Sequence, residues 1–223
     1  MTTTATPDET RPPAGRRRQA RAAATRNPLL DAALRELAAH GLEGASTRRI
    51  ASAAGTHQPH IKYHIESKDE LWKAAVDHLF DRLDDAVRGS FGDTNPGWGT
   101  RTGFAANIRA FVQAAAGLPE LNRIMVLEAT IDSERLQWIV ERHTRPRFEV
   151  VTQHWARLRA DGVVADIDET VLYYSLVGAA SLAYVNAPEA RLLGYDTLSE
   201  SFIEAHAEAL VTMLLGADEA VAR

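Results

Sequence analysis

The sequence predicts an all-α protein in two parts, a small group of short N-terminal helices and a larger helical C-terminal domain. Three observations predict it. Apolar residues recur at three- and four-residue spacing in every patterned segment after the first 25, and no run alternates as a strand would. Only 9 prolines and 14 glycines interrupt 223 residues, so long helices are permitted. Charge is divided unevenly: residues 1–65 carry ten Arg/Lys against five Asp/Glu, and residues 66–223 carry fifteen against twenty-five. The net charge of −5 argues against a polyanion partner for the chain as a whole, but the basic first part is suited to one.

Residues 1–25 are rich in Thr, Pro, Ala and Arg and hold too little apolar surface to order themselves, so they read as a disordered arm. Its cluster Arg16, Arg17, Arg18 and Arg21 is either a solvated tail or a basic arm that grasps its partner. Residues 28–41 follow as a helix, with Leu30, Leu34, Leu37 and Ala38 on one face and Gly41 at its end. Ser46 or Thr47 caps a short helix that runs through Arg48, Arg49, Ile50 and Ala51 and stops at Gly55. Gln58-Pro59 opens a third helix, where a proline costs no hydrogen bond, and Ile61 and Ile65 turn inward. Ser67 with Glu70 has capping-box spacing and starts a helix to about Arg88, with Trp72, Val76, Leu79 and Leu83 apolar. Glycine and proline make 89–100 a loop. Further helices are expected near 102–116, 119–130, 133–160 (interrupted around Pro146), 168–186 and 198–215.

Several function classes are excluded. The absence of cysteine removes disulfides, Cys-based zinc sites and a thiol nucleophile. No nucleophile elbow, phosphate-cradling glycine loop or HExxH is present. Asp132 with Glu134, and Asp166 with Asp168 and Glu169, stand at expected helix starts, where carboxylates complement the dipole. No enzyme activity, catalytic residue or cofactor is therefore expected. His57, His60 and His64 share a spacing that could face a metal, but Gln58 and Lys62 interleave and no carboxylate is near, so no metal is expected. No secretory signal is visible, and the uncharged stretch 171–188 is short and polar for a bilayer span. The chain is read as cytoplasmic, with no membrane partner.

Residues 46–65 carry the functional signal. Two short helices around a glycine-bearing turn, with Ala51 and Ala54 small where they cross, have the make-up of a helix-turn-helix. The outward side chains Gln58, His60, Lys62, Tyr63 and His64 are hydrogen-bonding or cationic, as base edges and phosphates require.

Thr47-Arg48-Arg49-Ile50-Ala51-Ser52-Ala53-Ala54-Gly55, then Gln58-Pro59-His60-Ile61-Lys62-Tyr63-His64-Ile65, then Ser67-Lys68-Asp69-Glu70-Leu71 resemble the diagnostic stretch of the TetR family of bacterial repressors. The resemblance implies a helix-turn-helix DNA-binding domain over 26–70 and a helical ligand-binding and dimerisation domain over 71–223. It implies DNA contacts at Thr47 and Arg48, base reading at Gln58, Pro59 and His60, backbone contacts at Tyr63 and His64, and a phosphate contact at Lys68. Lys62 departs from the family's usual tyrosine and keeps a cation for phosphate, and Ile65 replaces the usual phenylalanine.

In the C-terminal part Trp138, Phe148, Trp155, Tyr173 and Tyr174 are large residues at helical spacing. Each alone reads as core, and together they could line a cavity between helices. Met125, Glu128 and His143 are their polar or adaptable neighbours. The expected effector set is Met125, Glu128, Trp138, His143, Phe148, Trp155 and Tyr174. Gly178 to Ser181, with Leu172, Leu176 and Leu182, read as a close-packing helix. The resemblance implies that the last two helices pair with their copies in a homodimer; otherwise they only seal the monomer core. The expected function is a repressor released from a pseudopalindromic double-stranded DNA operator by a small hydrophobic effector. The alternative is a DNA-binding activator or architectural protein without a ligand.

Overall fold

The computed structural model describes residues 14–56, 67–92 and 96–216, and of residues 14–26 the backbone only. The described residues form ten α-helices and no strand, so the expected all-α class holds. The chain divides into two compact units, residues 1–78 and 79–223.

The first unit contains α1 (Ala14–Gly44), α2 (Thr47–Ala53) and the beginning of α3 (Lys68–Gly89). Helix α1 starts well before the expected residue 28. Its early segment is rich in alanine, the best helix former, and arginine propagates a helix nearly as well. Gly41 breaks the helical dihedrals at φ 64° and ψ 178°, a region closed to side-chain-bearing residues. Leu30, Leu34, Leu37 and Leu42 of α1, Ile50 and Ala51 of α2, and Leu71, Trp72 and Val76 of α3 are buried. The expected boundary at residue 70 falls inside α3, upstream of these three. A short polar contact, His78 Nε2 to Asp31 Oδ1 at 2.9 Å, ties α3 to α1.

The second unit continues α3 and adds α4 (Arg101–Gly117), α5 (Pro119–Ala129) and α6 (Glu134–Ile139). A single π turn over Val140–Thr144 leads into α7 (Arg145–Ala160). Pro146 lies in the first turn of α7, so the expected interruption is real. A proline there lacks one N–H and crowds the preceding turn, and the wider π turn accommodates it. The unit closes with α8 (Glu169–Val185), α9 (Ala187–Leu192) and α10 (Glu200–Leu215). Side-chain caps start several helices as their polar first residues require: Thr100, Ser133, Asp168 and Ser199 each accept a backbone N–H.

Phe104, Ile108 and Val112 repeat every four residues on α4 and pack into one core with Trp155 and Leu158 of α7, Leu172, Leu176 and Tyr184 of α8, and Leu210 of α10. The indole N–H of Trp155 donates to the Ile167 carbonyl at 2.8 Å, which satisfies its only polar atom in the core. Arg109 grips Glu208 through two bonds of 2.6 and 2.8 Å, joining α4 to α10. Arg101 closes the end of α10 by donating to the carbonyls of Leu215 and Gly216. Among the described residues no helix is long and apolar enough to cross a membrane.

Tyr184 and His206 meet at 2.8 Å between α8 and α10. Burial holds the His206 imidazole below the usual histidine range, and the same burial pushes the Tyr184 hydroxyl up to about 12. The unfolded chain therefore takes up a proton near pH 6.5, while folded His206 resists until lower pH. Stability is expected to decline as pH falls from about 6.5 through the folded value and to be flat above it. Thermal melts of His206→Gln should show a smaller loss over that window; an unchanged pH profile contradicts the assignment.

Candidate functional site

The first unit holds the described part of the DNA-facing region. Ser46 is the cap of α2, its hydroxyl accepting from Arg49 N at 3.4 Å. A carboxylate on α1 controls this start: Glu36 Oε1 accepts the Ser46 N–H at 2.9 Å and Arg49 Nε at 2.7 Å. The hydrogen bond from Arg49 lowers the Glu36 pKa below the usual carboxylate range. Arg49 also donates to the Gly44 carbonyl at 2.9 Å, so it fastens α2 to α1. Arg48, one position earlier, is exposed, and Thr47 is half-buried at the first residue of α2.

The far end of α2 is closed by a glycine. Gly55 has φ 63°, the Gly55 N–H donates to Ser52 O at 3.2 Å, and the Thr56 N–H reaches Ala51 O at 2.9 Å. This pair of bonds is a Schellman closure, which needs the left-handed backbone at its glycine. Ser67 caps α3 by accepting Glu70 N at 3.1 Å. Lys68 donates from Nζ to the Glu43 carbonyl at 3.0 Å, at the end of α1. An ammonium has three donors, so this bond leaves capacity for a phosphate. Gln58, Pro59, His60, Lys62, Tyr63 and His64, with the expected helix that carries them, lie outside the described residues.

The second unit contains a cavity of about 540 Å³. Helix α3 contributes Leu83 with Val87 and Asp84 with Arg88, two pairs one turn apart. Phe111 and Asn107 come from α4, Arg147 and Val150 from α7, Tyr173, Leu176 and Val177 from α8, and Trp98 from the segment before α4. The wall is mostly apolar, with a few polar groups converging, as small-molecule sites have. Arg147 donates from Nη2 to Asp84 Oδ2 at 2.7 Å and from Nη1 to the His143 carbonyl at 2.7 Å. Its guanidinium lies 4.8 Å from the centre of the Phe80 ring. Burial raises the pKa of Tyr173, so its hydroxyl stays a donor.

None of the seven residues expected to bind an effector lines this cavity. Trp155 is wholly buried in the core. His143 is buried, stacked on Phe80 at 4.2 Å with Trp138 edge-on at 5.3 Å. Glu128 is buried and accepts from Arg135 at 3.2 Å. Phe148 packs edge-on to Tyr173 at 4.9 Å, outside the lining. Met125 is half-buried on α5, and Tyr174 is 69% exposed. Asp84, Arg88, Asn107 and Arg147 are polar lining residues that sequence reading missed, and Asp84 and Arg147 bond to each other. Their signal was a charge beside an apolar helical stripe, at Leu83-Asp84 and at Arg147-Phe148. Among the described residues no group of three or more His, Asp or Glu is placed to hold a metal ion.

Residues 29–75 match the family described as bacterial regulatory proteins, tetR family, and this segment belongs to it. No curated protein matches the chain. Among solved structures it is similar to AibR in complex with isovaleryl coenzyme A and operator DNA, at 21% identity and a TM-score of 0.64, covering 87% of this chain and 100% of that one. It is also similar to the superantigen PfiT, at 24% and 0.62 over 87% and 97%. The fatty acid degradation regulator FadR from Bacillus halodurans matches at 16% and 0.60 over 84% and 94%. Identities this low establish the fold alone.

Two substitutions test the geometry. A Cβ at Gly55 meets nothing within 4 Å, so Gly55→Ala bears only the backbone penalty. It is expected to destabilise the first unit by about 1 kcal/mol in chemical denaturation, and Gly55→Asn by less. A Cβ at Gly103 would strike the carbonyl oxygens of Gly97 and Pro96, the segment that carries Trp98 to the cavity. Gly103→Ala should therefore lower the stability of the second unit by about 1–3 kcal/mol. A neutral result at Gly103 contradicts this packing.

Proposed function

We propose that this protein is a transcriptional repressor that leaves its operator when a small, largely apolar molecule occupies the cavity of the second unit. The observation that carries the reading is a cavity of about 540 Å³ in a chain whose residues 29–75 match the tetR family. That volume falls within the roughly 300–1,000 Å³ of small-molecule sites. The similarity to a structure holding both isovaleryl coenzyme A and operator DNA supports the pairing of the two functions.

The DNA-binding form is a homodimer. Helix α8 exposes Val171, Tyr174, Gly178 and Leu182 at helical spacing, and Met213 on α10 is exposed as well. Such an apolar stripe on a helix supports burial against a second copy. A two-fold dimer presents two Gln58–His64 segments about 34 Å apart, to successive major grooves of a pseudopalindrome. Thr47, Arg48 and Lys68 supply contacts beside them. Helix α3 carries residues of both units and is the covalent route between effector and DNA. An effector that favours a different spacing lowers DNA affinity by its coupling free energy, typically about 1–3 kcal/mol. Such a regulator works in the cytoplasm, where the operator is.

Selection of genomic fragments by the purified chain, followed by titration of a recovered site at several salt concentrations, tests the reading. Affinity is expected to fall steeply with salt. Arg48→Ala is expected to weaken binding and to reduce the salt slope by about one unit if Arg48 meets phosphate. Equal binding to selected and bulk DNA at physiological salt refutes the proposal.

A further inference from the structure

Three charged residues line the mostly apolar cavity: Asp84, Arg88 and Arg147. Each cation already meets an anion, Arg147 within the lining and Arg88 outside it. Arg88 is well exposed and pairs at 2.7 Å with Asp85, which is not part of the lining. Arg147 is held differently. Its side chain is only 30% exposed, the Phe80 ring lies under its guanidinium, and the His143 carbonyl accepts from Nη1. These contacts position the guanidinium without help from Asp84. Asp84 is 49% exposed and reaches Arg147 through Oδ2. Half-exposed pairs contribute little net stability, so another carboxylate can take that place while Asp84 turns to water.

We propose that the cavity takes an apolar carboxylic acid as its anion. Its hydrocarbon body lies against Val87, Phe111 and Leu176, and its carboxylate replaces Asp84 on Arg147. The inference rests on the ligand response proposed above and names the class of that ligand. Arg147 has five N–H donors in a planar fork, which suits two-point binding of a carboxylate better than the single contact Asp84 makes. Tyr173, whose hydroxyl can donate, lines the same cavity. An uncharged ligand offers Arg147 no charge in exchange for Asp84, and a cation offers one of the wrong sign. Loading breaks the Arg147–Asp84 tie between α7 and α3, so occupancy alters how α3 is held within this unit.

Calorimetric titration of the full chain, without DNA, tests this with decanoate, methyl decanoate and decylammonium. Decanoate is expected to bind at least about tenfold tighter than the other two, as loss of a charge-assisted bond predicts. Arg147→Met should weaken decanoate by about tenfold or more. Asp84→Ala should tighten it, because the competing carboxylate is gone; a structural role for Asp84 would give the opposite sign. Equal or tighter binding of the ester or the ammonium, binding of none of the three, or weaker decanoate binding by Asp84→Ala overturns the inference. Operator binding measured on the same preparation separates the two readings. Specific DNA binding without decanoate binding removes the ligand class alone, whereas decanoate binding without specific DNA binding removes the regulator reading and upholds the ligand class.

Discussion

One carboxylate fixes where α2 begins. Glu36 stands on α1 with its side chain only 11% exposed, and it accepts both the Ser46 N–H and the Arg49 guanidinium. The first N–H groups of any helix lack partners within it, so a short helix such as α2 depends on what meets them. Ser46 supplies one acceptor from its own chain, and Glu36 holds the cap itself in place. Arg49 returns a bond to Gly44, which closes the connection between the helices. With Gly55 fixing the other end, α2 is seven residues long and has little freedom to slide. Both Arg48 and Arg49 are exposed, but Arg49 is engaged by Glu36 and the Gly44 carbonyl.

Burial separates this ion pair from the one in the second unit. Glu36 has given up most of its water and would leave a backbone N–H and a guanidinium unsatisfied if it moved. Asp84 keeps half its surface in solvent and holds one bond to Arg147. The first pair therefore builds structure, whereas the second can exchange. In the first pair the carboxylate is the buried partner and Arg49 is 55% exposed, whereas in the second the arginine is the more buried partner and the carboxylate meets water.

Local chemistry explains what was legible in the sequence. The glycine stop at Gly55, the Ser67 cap and the break at Pro146 are each decided by a few adjacent residues and found where expected, and of the two candidate caps Ser46 and Thr47 the structure uses Ser46. The early start of α1 was not, because an alanine- and arginine-rich segment is polar enough to pass for a tail while its helix propensity is high. The cavity was legible as a class and not in its lining. Tyr173 faces it and Tyr174 points to solvent, although they are adjacent. Which of two neighbours turns inward depends on where α4 and α7 lie, and periodicity within α8 alone does not contain that. Trp155 shows the same limit: its ring is large enough for a ligand wall, but Ile167 satisfies its N–H and the core closes over it.

Helix α8 brings these points together. It has no charged residue after Glu169, and a helix apolar on every side must find cover on every side. Leu172, Leu176 and Tyr184 are covered by the core, and Tyr173 and Val177 border the cavity. Val171, Tyr174 and Leu182 are left exposed on a third face. The wall of the cavity and this exposed face are two sides of one helical rod. Side-chain packing at close density transmits a small shift of such a rod rather than absorbing it. A group that enters the cavity against Tyr173 and Val177 therefore presses on the same element that carries the exposed face.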